Sequence, residues 1–148
     1  IGPRNYFLRS RDAERVTMRG VSIEGGGLFI DDRSRLILIE DCRATVIDQY
    51  LAFCSSSQDV TLRRLTLEEG SRLEAGIRLH GVARVGIEDC TIVAGINKKS
   101  ALRIHDGTDV TVTRGRFVGM VGAGPLGNLD GGCRWGLTRY LRDGKWWD

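Results

Sequence analysis

Residues 76–92 read GIRLHGVARVGIEDCTI. The second half, RVGIEDCTI (84–92), is one copy of a pattern that returns along the chain. It recurs as RVTMRGVSI (15–23), LILIEDCRA (36–44), DVTLRRLTL (59–67) and DVTVTRGRF (109–117), with a weaker sixth copy, RWGLTRYLR (134–142). The first core position of each copy is Val16, Ile37, Val60, Val85, Val110 and Trp135, at intervals of 21, 23, 25, 25 and 25 residues. Self-similarity at such a period is the mark of a repeat architecture.

The first half of the quoted stretch recurs too. A short element precedes every copy except the first, where the match is poor. It reads LFIDD from Leu28, LAFCS from Leu51, IRLHG from Ile77, LRIHD from Leu102 and LGNLD from Leu126. Each alternates apolar and polar residues, the period of a half-buried strand. Each unit therefore holds at least two short strands, and neither half shows a helical period over ten or more residues. One unit cannot bury its apolar face alone; stacking each strand on its equivalent one unit later does so. The expected fold is all-β, a parallel β-helix (β-solenoid) with one unit per coil. Five to six coils about 4.8 Å apart make a rod of roughly 25 Å. A leucine-rich repeat is the rival at this unit length. It requires a helix or tight turn where this chain alternates as a strand.

Composition narrows the class. The chain has 148 residues, 41% hydrophobic and 28% charged, enough for one domain with a core. No run of eighteen apolar residues supports a membrane span. No charged start leading into an apolar stretch reads as a signal peptide. The net charge of +3 is too balanced to argue for nucleic acid. Nineteen arginines against three lysines, Lys98, Lys99 and Lys145, read as base composition rather than function. Cys42, Cys54, Cys90 and Cys133 form no CxxC pair, so zinc is not indicated.

Stacking turns sequence offsets into rows. Cys42, Leu65, Cys90 and Gly115 fall in one inward row. Cys42 and Cys90 are then two coils apart, about 10 Å, too far for a disulfide, which needs Cα atoms within about 7 Å. With Ile30, Phe53, Leu79 and Ile104 as inward centres, the next outward row is Asp31, Cys54, His80 and His105. His80 and His105, the chain's only histidines, fall on adjacent coils. Arg78 and Arg103 form a parallel outward pair two residues earlier, and Asp32, Ser55, Gly81 and Asp106 form the row beyond. Cys54 is expected to face outward.

The pattern GIRLHGVARVGIEDCTI resembles the parallel β-helix repeat of pectate lyases, polygalacturonases and alginate epimerases, an architecture that phage tailspikes share. The resemblance covers about residues 6–142 and implies a right-handed coil. It also implies a polysaccharide-processing protein of lyase, hydrolase or epimerase type, acting on an acidic glycan at a lateral face. His80 and His105 are the catalytic candidates. Arg78, Arg103, Asp31 and Asp106 are the substrate-binding candidates. Arginines neutralise a uronate carboxylate, and a nearby histidine takes the adjacent proton. A hydrolase instead needs two flanking carboxyl groups, and Asp31 and Asp32 point to opposite faces of a regular strand. Asp31-Asp32 is present without the Gly-His-Gly segment of polygalacturonases. Only His105-Asp106 matches the end of the epimerases' Asp-Pro-His-Asp. No cofactor is expected other than calcium, which pectate lyases use; Asp31, Asp32, Asp48 and Glu74 would supply its oxygens without ligand spacing of their own. The alternative is a non-catalytic solenoid, an adhesin, spike or structural module that binds glycan or assembles. Either would work outside the cell or at its surface.

Smaller signals have simpler readings. GGG (25–27) and GMVGAG (119–124) lack the Gly-Lys-Ser/Thr of a phosphate loop and fit turns between coils. Trp135, Tyr140, Trp146 and Trp147 suit a sugar-stacking platform or aromatic cap packing. Residues 1–142 are expected to be a segment of a longer solenoid, or one whose ends a partner or oligomer covers. RDGK (142–145) suits a hairpin turn, with residues 143–148 a cap or the start of a further module.

Overall fold

The computed structural model describes residues 6–45, 47, 49–68, 75–94, 100–123, 134–136, 140–142 and 145–147. Every element among them is a strand. The first coil comprises β1 (Tyr6–Arg11), β2 (Glu14–Arg19) and β3 (Ser22–Glu24). The second comprises β4 (Gly27–Asp31), β5 (Arg35–Glu40) and β6 (Arg43–Thr45). The third comprises β7 (Tyr50–Ser55), β8 (Gln58–Arg63) and β9 (Thr66–Leu67). The fourth comprises β10 (Ala75–His80), β11 (Ala83–Glu88) and β12 (Thr91–Val93), and the fifth β13 (Ser100–His105), β14 (Thr108–Thr113) and β15 (Arg116–Val118). Then come β16 (Met120–Ala123), β17 (Arg134–Gly136), β18 (Tyr140–Arg142) and β19 (Lys145–Trp147). The strands form three sheets: sheet A (β1-β4-β7-β10-β13-β16-β18-β19), sheet B (β2-β5-β8-β11-β14) and sheet C (β3-β6-β9-β12-β15-β17). The protein is a parallel β-solenoid.

The nine-residue copy proves to be two strands. In RVGIEDCTI, Asp89 takes a left-handed conformation (φ 53°) that turns the chain from β11 into β12. Each coil thus has three sides where the sequence displayed two. The repeat columns hold in sheet B, where Val16, Ile37, Val60, Val85 and Val110 stand in register. Met18, Ile39, Leu62, Ile87 and Val112 form the second inward row. Branched side chains suit such positions because they pack on equivalents one strand away. From Ile37 and Ile39 through Val110 and Val112, these residues are at most 2% exposed. Each aliphatic side chain so buried contributes about 1.5–3 kcal/mol. Cys42, Leu65 and Cys90 lie in the same buried core.

The corners use an unusual residue set. Fourteen described non-glycine residues have positive φ, among them seven aspartates and five arginines. Aspartate tolerates this region because its short side chain bonds locally. Arginine does not, and its presence has a separate explanation below.

Two expectations fail at the chain's ends. Trp135 does not continue the Val110 column; it pairs with Phe117 in sheet C. The 25-residue interval matched the period by coincidence, because β17 stands where a third-side strand belongs. The strand that follows β13 in sheet A is β16, through Leu102 opposite Val121; LGNLD (126–130) lies outside the described residues. At the other end, β1 supplies the first coil's missing strand. Its inward positions are Leu8 and buried Ser10, and a serine where three of the later coils carry Ile or Leu hid the match. Ser10 Oγ lies 3.1 Å from buried Ser34 Oγ, which satisfies the hydroxyls. Near the C-terminus, β18 and β19 pair antiparallel, Arg142 opposite Lys145; the turn residues 143 and 144 lie outside the described residues.

Candidate functional site

The outer face of sheet A carries the predicted histidines and arginines. Arg78 stands beside Arg103, and His80 beside His105, in direct register between β10 and β13. The two imidazoles stack, with ring centroids 5.2 Å apart and planes 5° from parallel. Both are exposed, as is Arg103. His105 Nε2 lies 3.7 Å from Asp106 Oδ2. Four of the six candidates thus form a two-by-two array, with Asp106 at its edge.

Arg78 and Asp31 are less available than the sequence suggests. Arg78 Nη1 donates to the Tyr50 hydroxyl at 2.9 Å, and its guanidinium lies over the rings of Phe53 and Tyr50 at 5.3 and 5.8 Å. Its Nε is buried and bonds to no acceptor. Asp31 is ion-paired with Arg9 at 3.1 Å. Asp32 begins the turn (φ 42°) and pairs with Arg11 at 2.7 Å. Each aspartate is held by its own arginine, and Arg9 and Arg11 project from the same outer face of β1.

The row containing Asp31 needs correction. Ile30 pairs with Cys54, and Cys54 with Leu79. Cys54 is therefore an inward residue, fully buried, and Ser55 takes its place beside His80. Ser56, one residue further on, leads to Gly81 and Asp106. The error was a one-residue slip, which flips every side chain to the other face. YLAFCS is apolar on both faces, so alternation did not mark which side was in.

That double apolarity has a cause the sequence reading missed. Phe53 pairs with Phe29 on one side and Arg78 on the other, so both phenylalanines face outward. Phe29, Tyr50 and Ala75 form a small cluster separate from the main core, with Phe53 packed against it. Phe29 meets Phe53 in a stack at 5.8 Å and Tyr6 edge-on at 4.7 Å. Arg9 lies over Tyr6 at 4.9 Å. An aromatic patch thus adjoins the Arg–His array along the face. Its signal was present: Phe29 and Phe53 occupy the same column as Arg78 and Arg103.

A second constellation lies where sheet B turns into sheet C. Arg19, Glu40, Arg63 and Glu88 stand in register, alternating in sign. Beside them run Asp41, Arg64, Asp89 and Arg114. Glu40, whose side chain is 6% exposed, accepts from Arg19 and, at 3.4 Å each, from Arg63 and Arg64. Arg63 Nε reaches Glu88 at 2.7 Å. Arg64 grips Asp41 with two bonds, 2.5 and 2.9 Å, and Arg114 grips Asp89 at 2.9 and 3.1 Å. At the other edge of sheet B, Arg84 holds Asp59 at 2.6 and 3.1 Å. These bonds hold the Asp41, Asp59 and Asp89 carboxyls below the usual range. Arg64, Arg84 and Arg114 are also left-handed corner residues. Bidentate pairing of this kind is the strong form of the contact, and it recurs at these left-handed positions. Much of the arginine bias therefore has a structural role. The pairs Glu40-Asp41, Arg63-Arg64 and Glu88-Asp89 are where the sequence records it.

Other candidates drop out or fall elsewhere. Asp48, Glu74, Cys133 and Lys98-Lys99 lie outside the described residues, and so do the side chains of Trp135, Tyr140, Trp146 and Trp147. Among the described residues, no three His, Cys, Asp or Glu side chains gather to hold a metal ion, and no helix is long and apolar enough to cross a membrane. Cys42, Cys54 and Cys90 are free thiols. Burial pushes Cys54 up to about 12 and Cys90 up to about 11, which makes them poor nucleophiles.

The fold and this face define a parallel β-solenoid with a cationic and aromatic lateral surface. Compared with known proteins, the chain matches no family model, no curated protein and no solved structure.

Proposed function

We propose that this solenoid is a carbohydrate-recognition module of the pectate lyase-like β-helix type, and that sheet A binds an acidic polysaccharide outside the cell or at its surface. The observation that carries this reading is the like-on-like array of Arg78, Arg103, His80 and His105. Arg78 and Arg103, like charges placed directly opposite on neighbouring strands, repel. An anionic partner relieves that repulsion, and arginine forks fit carboxylates. The array spans two coils at strand spacing, about 4.8 Å, with Phe53 before it and Gly122 after it in the arginine column. Single exposed ion pairs are worth under about 1 kcal/mol. Affinity therefore comes from several pairs engaged by one polymer. Of the adjoining aromatic side chains, Tyr6 is exposed and Phe53 partly so, and these offer apolar surface for sugar rings.

The binding reading is preferred to the enzymatic one because Arg78 and Asp31 are committed to Tyr50 and Arg9. One observation favours a lyase: the exposed His105 imidazole, a candidate proton acceptor, stands on the same strand as Arg103, with the Asp106 carboxylate 3.7 Å from its Nε2. A single panel separates the two. Uronate and neutral polymers are titrated against wild type, Arg103→Ala and His80→Ala/His105→Ala, with ultraviolet absorbance recorded for unsaturated products. Salt-sensitive binding to uronates, lost in Arg103→Ala without product, supports the module. Product that vanishes in the histidine double variant makes the protein a lyase. No uronate binding by the folded protein overturns both.

A further inference from the structure

The corner between sheets A and B holds a notch next to the histidine pair. It is a depression of about 490 Å³ lined by Arg33, Ser56, Gln58, Asp106 and Thr108 around Gly81–Ala83. Its origin is visible in the columns. Glu14, Arg35, Gln58, Ala83 and Thr108 stand in register, so a methyl group occupies the fourth coil where neighbouring coils carry long or hydroxylated side chains. Gly81 sits between Ser56 and Asp106 in the turn (φ 61°), and a Cβ built on it meets nothing nearer than Ser56 Oγ at 3.9 Å. Two flanking depressions on the same corner hold ion pairs of their own: Arg33 with Asp12 at 3.0 Å, Arg35 with Glu14 at 3.0 Å, and Arg11 with Asp32. The notch differs from them in its lining. Its floor is backbone and small side chains, and its rim mixes hydroxyls, an amide, a carboxylate and the guanidinium of Arg33, which it shares with both neighbours.

That combination matches a pyranose ring, which has an apolar C–H face and a polar edge of hydroxyls. The size falls within the about 300–1,000 Å³ typical of small-molecule clefts. We infer that the notch is a sugar-ring subsite. One ring of the bound glycan rests on Gly81–Ala83, with its hydroxyls on Ser56, Gln58, Asp106 and Thr108. The inference deepens the glycan-binding reading and rests on it: the sheet A array takes the charge of the polymer, and the notch takes one ring by shape. His80 and Asp106 border both, since Gly81 follows the first and Asp106 follows His105.

The test fills the notch with a side chain the fold already accepts. Ala83→Gln repeats what Gln58 does one coil earlier at the same column; Thr108→Ala removes one rim hydroxyl without adding bulk. Each is titrated with tetragalacturonate and with the neutral xylotetraose, and backbone amide shifts are followed by NMR. The expected result is a loss of affinity for tetragalacturonate of about tenfold in Ala83→Gln, about 1.4 kcal/mol. A smaller loss is expected in Thr108→Ala. In wild type, amide shifts should centre on Ser56, Gly81, Ala83 and Asp106. Unchanged affinity in Ala83→Gln, with loss in Arg103→Ala, overturns the notch and leaves the array standing. Xylotetraose binding that depends on Ala83, with tetragalacturonate binding insensitive to Arg103→Ala, upholds the notch and overturns the array. No binding of either sugar to the folded protein overturns both.

Discussion

The corner of sheets B and C and the outer face of sheet A are built from the same repeat, yet they stack charge by opposite rules. At the corner, every described charge from Glu40 to Arg114 meets its opposite one coil away. On sheet A, Arg78 meets Arg103 and His80 meets His105. Parallel in-register stacking leaves no third option, because each residue lies over its equivalent. An alternating ladder satisfies itself. A like-signed ladder leans on something else, and here Arg78 leans on Tyr50 and Phe53. The first arrangement closes the structure. The second leaves Arg103 exposed.

The sharpest way to break this contrast is to give the corner the rule of the face. Arg63→Glu/Arg64→Glu places acidic groups in three successive coils, and the melting temperature should fall further than for any other surface change. A double variant that melts like wild type would make the alternation decorative. Glu40→Ala removes the carboxylate that three arginines share and should cost about 2 kcal/mol in chemical denaturation, below the 3–5 of a fully buried pair because its partners are exposed. Acid should act on the corner as well. Asp41, Asp59 and Asp89 titrate below their unfolded values, so their contribution is complete above about pH 4. It is lost as pH falls through the lowered folded values. Denaturation midpoints should therefore drop at low pH, and 1 M salt should flatten that drop. On the face, Arg103→Ala should leave the midpoint within about 0.5 kcal/mol of wild type while removing uronate binding. If it destabilises the fold instead, the face is structural and the contrast collapses.

The sequence displayed the solenoid well because core spacing survives in Val16 through Val110 and in the Ile and Leu positions after them. It displayed the third side poorly. Strands of two or three residues such as Thr66–Leu67 carry one inward residue each, too few for alternation to register. The histidine and arginine pairs were legible because IRLH and LRIH repeat a whole strand at once. Cys54 and Ser55 were misplaced because YLAFCS buries one face in the core and the other under aromatic rings. The ladders were written openly in Glu40-Asp41, Arg63-Arg64 and Glu88-Asp89. They were overlooked because opposite charges make the copies look dissimilar, although complementarity requires that dissimilarity.

The corner ladders have one further consequence. Their geometric unit is a single coil, but their chemical unit is two, since Glu40-Asp41 is met again only at Glu88-Asp89, 48 residues on. A rod of this kind can gain or lose length by recombination without penalty only in even steps. Excising the third coil alone would set Asp41 against Asp89, whereas excising the third and fourth together would set Asp41 under Arg114 and restore that row, with Glu40 against Thr113. Inheritance in this lineage should therefore proceed by doublets, and relatives of different length should differ by even numbers of coils.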